Sequence, residues 1–435
     1  MNTKHISSTL AATGITAASL LSLAPVQAAS DQWDIPSNPD FTDHIKNALK
    51  VYKAKSDTEF VQEVRFNWIE QYQIAVVQPN GSNGAHLKPG ATPFNQEFRR
   101  SWVGANVKFN TNTLFHTWVR LGGLPSRYTY SGGHRRSNYT YAGLFELYLA
   151  QEIPGVKGLS VKVGKIKPLF TMEYSTPSSQ IKCIERSVVG NFHNLDSNWG
   201  IDVTYKPNKD LTVYAQLMAN DRAANAKSLT HSDGYRDGRG LKGEFGWEDK
   251  CFAILGTEYR FGVTESGYQK ITFQYAHDFN NAYNDKREPG ANCYGLAAQD
   301  SLALGYVYNK NRLTVSTELV AYFETLEGNG SNSLGLVIQP VYALTPHVDL
   351  VFRYTGMIGN DACRLGADRY ICTQTTADTW VNGINAFYIG ANYYFSERNP
   401  DALKLMFGAE YLTAHQNGPT NYNGWEFTSA VRWSF

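Results

Sequence analysis

The stretch "GWEFTSAVRWSF" (residues 424–435) sets Trp425, Phe427, Val431, Trp433 and Phe435 against Glu426, Thr428, Ala430, Arg432 and Ser434. A period of two is the pattern of an extended strand with one apolar face and one polar face. Chain ends usually fray. An apolar row in this place therefore calls for a wall that holds it, either a buried edge or a surface turned to lipid.

The same period runs back to about Phe60. Leu313, Val315, Leu319, Ala321 and Phe323, for instance, alternate with Arg312, Thr314, Ser316 and Glu318. Read in this way the chain divides into about sixteen strands, with eighteen as the alternative count, each long enough to cross a tilted bilayer wall. The connections alternate in length. "NTNT", "PGVKG", "PNKD", "VTESG", "KN", "TPH" and "SERNPD" are short, whereas those near 79–97, 122–138, 169–198, 220–250, 280–300, 325–333, 359–382 and 414–423 are long. Tight turns on one side and long loops on the other predict an all-β, transmembrane antiparallel β-barrel with periplasmic turns and extracellular loops. A soluble sandwich alternates as well, but keeps its apolar faces in a core. In lipid no backbone group can stay unpaired, so the sheet must close.

The first residues support export. "MNTKHISSTLAATGITAASLLSLAPVQA" has a basic start, a short apolar run and small residues before a cleavage point at Ala28, as a secretory signal does. Residues 29–58 then read as a periplasmic segment with a short amphipathic helix in "FTDHIKNALKVYKAKSD" (41–57). Phe41, Ile45, Ala48, Leu49 and Tyr52 share one side of it. Residues 59–435 read as the barrel, with a third loop near 169–198 folded inward. Aromatic residues make up 13% of the chain and Tyr alone contributes 27, which suits rings at a membrane–water interface. Among the five cysteines, Cys363 and Cys372 close a short loop and could pair in an oxidising compartment. Their spacing does not suit zinc. No metal, cofactor or nucleic-acid partner is expected; the barrel's surroundings are outer-membrane lipid.

A barrel of this width holds water unless a loop enters it. By parity the early strands turn Arg65, Arg100, Lys108, His116, Arg120 and Lys162 inward. Lys165 and Lys167 follow at a strand end, and Lys182 and Arg186 in the third loop. Between Val61 and Gly190 stand fifteen Lys and Arg against seven Asp and Glu, about +8, whereas the whole chain carries +1. Inward Asp202, Glu318, Glu410 and Glu426 belong to the remainder. Such a split predicts a field across the pore and a local attraction for anions. In "KCIER", Glu185 stands beside Arg186, and the sequence reading has it hold that arginine in place.

"KVGKIKPLFTMEYSTPSSQIKCIERS", with "RRSWVGANVKF" upstream, resembles the phosphate-selective porin O and P family of Gram-negative outer membranes. The resemblance implies sixteen-stranded subunits in a homotrimer and a passage lined by arginines and lysines for small anions such as phosphate. Carried over, Arg99 and Arg100 match the paired arginines, Lys165 and Lys167 the basic strand end, and Glu185 and Arg186 the loop motif. Parity puts Arg99 outward or at the rim. Arg222, Arg236 and Arg239, candidates for a later arginine series, are interspersed with Asp221, Asp233 and Asp237. The terminal Phe435 resembles the signal read by the barrel assembly machinery.

Other functions stay in view. A general porin, or one selective for sugars or other organic solutes, fits the same barrel. So does a receptor or structural barrel. A hydrolase needs a Ser, a His and an acidic or amide partner together, and His116, His277 and His415 stand in no nucleophile motif.

Overall fold

The computed structural model describes residues 36, 38–80, 86–89, 91, 93–122, 143–193, 197–219, 251–279, 296, 298–325, 331–360, 365–366, 375, 380–415 and 422–435. The signal segment, the Cys363–Cys372 pair and Arg222, Arg236 and Arg239 lie outside them.

Sixteen antiparallel strands pair in chain order. They are β1 (Val61–Pro79), β2 (Phe94–Phe109), β3 (Thr113–Gly122), β4 (Gly143–Glu152), β5 (Leu159–Ile166), β6 (Asn198–Tyr205), β7 (Leu211–Ala219) and β8 (Cys251–Thr264). The second half consists of β9 (Gly267–Asp278), β10 (Ala298–Lys310), β11 (Leu313–Thr325), β12 (Ser333–Thr345), β13 (Val348–Gly359), β14 (Gly383–Tyr394), β15 (Leu403–His415) and β16 (Tyr422–Ser434). The ring closes where β16 meets β1, from Gly424 opposite Pro79 to Ser434 opposite Ile69. Phe435 extends the seam: its N–H donates to the Trp68 carbonyl at 2.9 Å, and its own carbonyl accepts from the Trp68 N–H at 2.8 Å. The terminal aromatic is thus held on both backbone groups.

Short turns and long loops alternate as the sequence predicts. Two of the turns use an asparagine in the left-handed region, Asn112 (φ 57°) and Asn311 (φ 54°), a conformation that asparagine tolerates better than most side chains. The faces are inverted relative to a soluble protein. On β16, Trp425 and Phe427 are 41% and 43% exposed while Glu426 and Arg432 are 8% and 0% exposed. On β10, Leu302, Leu304 and Tyr306 face out, and Ala303 and Val307 are buried. Lipid is the solvent that such a belt requires.

Among the described residues, those up to Asn47 form a unit of their own. Its helix α1 (Phe41–Ala48) opens with Asp40, whose carboxylate accepts from the N–H groups of Thr42 (2.8 Å) and Asp43 (3.2 Å), a side-chain cap on two orphan donors. The helix is shorter than the sequence predicts. From Lys50 to Lys53 the chain is instead a strand on the start of β1, pairing Lys50 with Arg65 and Lys53 with Glu63. Val51 and Tyr52 favour that extended form, and a ladder satisfies backbone groups that a fraying last turn would leave to water.

Candidate functional site

The third loop, described over 167–193, runs inside the barrel, and its side chains and carbonyls are held by inward-facing wall residues. At its start, Lys167 and Leu169 are tied to Gln216 on β7, and the Leu169 carbonyl also accepts from Tyr214 (3.0 Å) and from Gln274 on β9 (3.3 Å). Helix α2 (Met172–Ser175) follows, capped by Thr171, whose Oγ1 accepts from the Tyr174 N–H at 3.1 Å. Thr171 has φ 60°, a costly conformation for a β-branched residue that persists only where its surroundings hold it. They do here: the Glu318 carboxylate of β11 accepts from the N–H groups of Met172 and Glu173.

Further along, the Glu173 carboxylate accepts from Ser187 and from Arg353 of β13 (3.1 Å). Arg353 also donates to the Glu185 carbonyl (2.8 Å) and faces Glu410 of β15. Lys404 of β15 donates to the Ser179 carbonyl at 2.5 Å. Arg432 of β16, fully buried, reaches the carbonyls of Ile181 (3.0 Å) and Ile184 (2.9 Å) as well as Gln71 of β1 (2.7 Å). An apolar contact backs these bonds. Phe170, Phe192 and His193 close on Tyr322 of β11, with ring centroids 6.4, 4.1 and 5.0 Å away. Burial pushes the His193 imidazole down to about 3, so it stays neutral. This side of the lumen is packed.

Glu185 favours the charged form of Arg186 through its field, but its close ion pairs are made elsewhere. Its carboxylate accepts from Arg99 Nε at 2.6 Å and faces Arg100 Nη2 at 3.5 Å. Arg99 is a correction to simple parity. Gln71 stands opposite Arg100 and Tyr72 opposite Phe98, so Arg99 is the extra residue of a β-bulge. A bulge re-aims one side chain, and both arginines of "RR" thereby meet the same carboxylate. Arg186 is held instead by the carbonyls of Glu173 (3.1 Å) and Thr176 (2.8 Å) and lies over the Tyr174 ring at 5.2 Å. Lys167 lies over the same ring at 5.0 Å and donates to the Thr176 carbonyl at 3.2 Å. Burial, then the charge of Arg186, pushes the Lys167 ammonium down to about 7. Burial likewise lowers Arg186 from the usual guanidinium range.

Four cations therefore converge: Arg99, Arg100, Lys167 and Arg186. Other sequence candidates extend the row along the wall. Arg120 is near the long-loop end of β3, Lys162 is in the middle of β5, and Arg65 and exposed Lys108 are toward the short turns. Two candidates stand apart. Lys165 is one register off the row of Lys162, Gly164 and Ile166; it is buried and donates to the Leu144 carbonyl at 2.8 Å. Lys182 donates to Asp349 and Tyr394, each at 2.9 Å. Burial works against its charge, but Tyr394 and Asp349 outweigh it and raise its pKa.

The later half of the chain also brings cations into the barrel. Arg353, Lys404 and Arg432 come from the later half and stand inside the barrel beside Glu410 and Glu426. Sequence reasoning passed over Arg353 and Lys404, although each stands on the inward parity of its strand. Arg432 was visible in the closing alternation, but its role as the loop's clasp depends on a partner some 250 residues away in the sequence.

The fold matches known outer-membrane barrels. OmpT of Vibrio cholerae, described as outer-membrane expressed, superposes with a TM-score of 0.51 at 11% identity, over 88% of this chain and 100% of that one. OprB of Pseudomonas putida, in its high-pH structure, gives 0.51 at 11%, over 86% and 94%. No curated protein matches the sequence. Residues 77–239 match the family described as phosphate-selective porin O and P. That stretch contains the "RR" bulge, the basic strand end and the inward loop, and with the closed sixteen-stranded wall it makes the chain an outer-membrane porin, a multi-pass β-barrel of that membrane.

Proposed function

We propose that this porin passes small hydrophilic solutes by diffusion, prefers anions, phosphate among them, and works as a homotrimer. The observation that carries the reading is the convergence of Arg99, Arg100, Lys167 and Arg186 where the loop narrows the lumen. Guanidinium forks match the oxygens of phosphate and carboxylate two at a time. A cluster of one sign in a restricted channel raises the local concentration of the opposite ion.

A second reading has its own support. Arg99 and Arg100 already face Glu185, and Arg186 is held by carbonyls. Cations so partnered attract anions with less discrimination than open ones, which favours a general anion pore over a phosphate-specific one. Purified protein in a planar bilayer, under a salt gradient, separates the cases. A reversal potential on the anion side is expected, and one on the cation side overturns the proposal. Added phosphate that depresses the chloride current supports phosphate selectivity. Unchanged current leaves the general anion porin.

A further inference from the structure

On β3, the inward face reads His116, Trp118 and Arg120. The loop's anchors named above lie on β1, β2 and from β7 round to β16, and none of them is on β3 or β4. What stands on this side of the lumen is a line of rings. Trp118 is 5.9 Å from His116 and 6.4 Å from Trp102, and His116 stacks on Tyr148 of β4 at 4.6 Å. Trp102, Trp118 and Tyr148 all stay partly exposed. The line ends on a cation at each end. Arg120 lies 5.9 Å over Trp102 and 4.5 Å over Phe145, and Lys162 lies 5.8 Å over Tyr148. At strand spacing, the run from His116 to Arg120 covers about 13 Å.

Two glycines let these rings lie close to the wall. A Cβ on Gly104 would come within 2.0 Å of the Thr117 carbonyl and 2.9 Å of the Trp118 ring. A Cβ on Gly164, at φ 138°, would come within 2.2 Å of the Leu147 carbonyl and 3.0 Å of the Tyr148 Cβ. The backbone is bare where an aromatic crosses it. Tyr148 packs at the margin of the apolar core that loop and wall build, whereas Trp102 and Trp118 stand outside that core, where a ring is free to serve a solute.

We infer that this strip is a binding track for planar aromatic monocarboxylates. The ring of the solute stacks on Trp118 or Tyr148, and its carboxylate meets Arg120 at one end or Lys162 at the other. Stacked aromatic faces give a ring something that a saturated solute lacks, and a cation over the neighbouring ring supplies the charge partner without leaving its place. The inference rests on the proposed anion-preferring pore and adds a solute class to it.

Benzoate and cyclohexanecarboxylate test it, because they share charge and bulk but only one has a π face. Each is titrated against the chloride current of the single channel. Benzoate is expected to reach half-block at about one-fifth the concentration of cyclohexanecarboxylate, the value of one ring contact. Trp118→Leu and Tyr148→Leu are expected to remove that difference while leaving the reversal potential in chloride unchanged. Equal block by both carboxylates in a conducting, anion-preferring channel overturns the track and spares the pore. Stronger block by glucose than by benzoate overturns it in favour of a sugar track. A reversal potential on the cation side overturns the pore reading and the track with it. The comparison of probes needs no variant, so a misfolded mutant does not protect the idea.

Discussion

The two sides of this lumen start from the same alternation and end differently. From β7 round to β16 and β1, inward charges are spent on the third loop: Glu318 on two backbone N–H groups, Arg353 on Glu173, Lys404 and Arg432 on carbonyls. On β3 to β5, inward cations lie over aromatic rings, and the rings are partly exposed. One side is an inner core built from loop and wall; the other, apart from Tyr148 at the margin of that core, keeps partly exposed rings beside its cations. An inward position is therefore a necessary condition for lining a pore, and what the position faces decides the rest.

The sharpest way to break this contrast is to unclasp the loop. Arg432→Met removes a buried guanidinium that serves Gln71 and the carbonyls of Ile181 and Ile184. Losing those charge-assisted bonds costs about 3 kcal/mol. The barrel is expected to unfold several degrees lower in a heat-modifiability assay, with single-channel conductance raised roughly two-fold as the loop leaves the lumen. A variant with wild-type conductance and melting would show that Arg432 does not hold the loop.

A smaller effect is expected where the two sides meet. Glu185 is the carboxylate facing Arg99 and Arg100, so Glu185→Gln adds one net positive charge at the constriction while keeping an acceptor for one of them. The anion-to-cation permeability ratio is expected to rise about two-fold. A fall in that ratio would mean that the ion pair sets the loop's place and that its geometry outweighs its charge.

These cases also mark what the sequence makes legible. The strands are legible because lipid outside and water inside impose a period of two on every one of them. The turns are legible too, since Asn112 and Asn311 stand where a left-handed residue is needed. Arg99 is the point where counting fails. One extra residue in β2 breaks the parity, and nothing in "FRRSW" says which residue bulges. Lys165 fails for the opposite reason: it sits in a basic motif, yet the register turns it off the inward row. The inward loop was legible as a long connection between two short strands. Its partners were not, because hydrogen bonds such as Arg432 to Ile184 join positions that no local pattern relates.

The least change is expected from acidity, and it bears on the loop's own cations. Lys167, pushed down to about 7 by burial and then by Arg186, is held at its raised end by Glu146 and lowered a little further by Arg100. An ammonium with a lowered pKa is charged below that value and neutral above it. The cluster therefore loses one positive charge as pH climbs from about 6 to about 8, and the anion preference should fall with it, by less than about two-fold. Lys167→Met tests this. If Lys167 carries the effect, the variant's reversal potential stays flat across that range at the value the wild type reaches in alkali. A pH response that survives in Lys167→Met would place the titrating charge on another group.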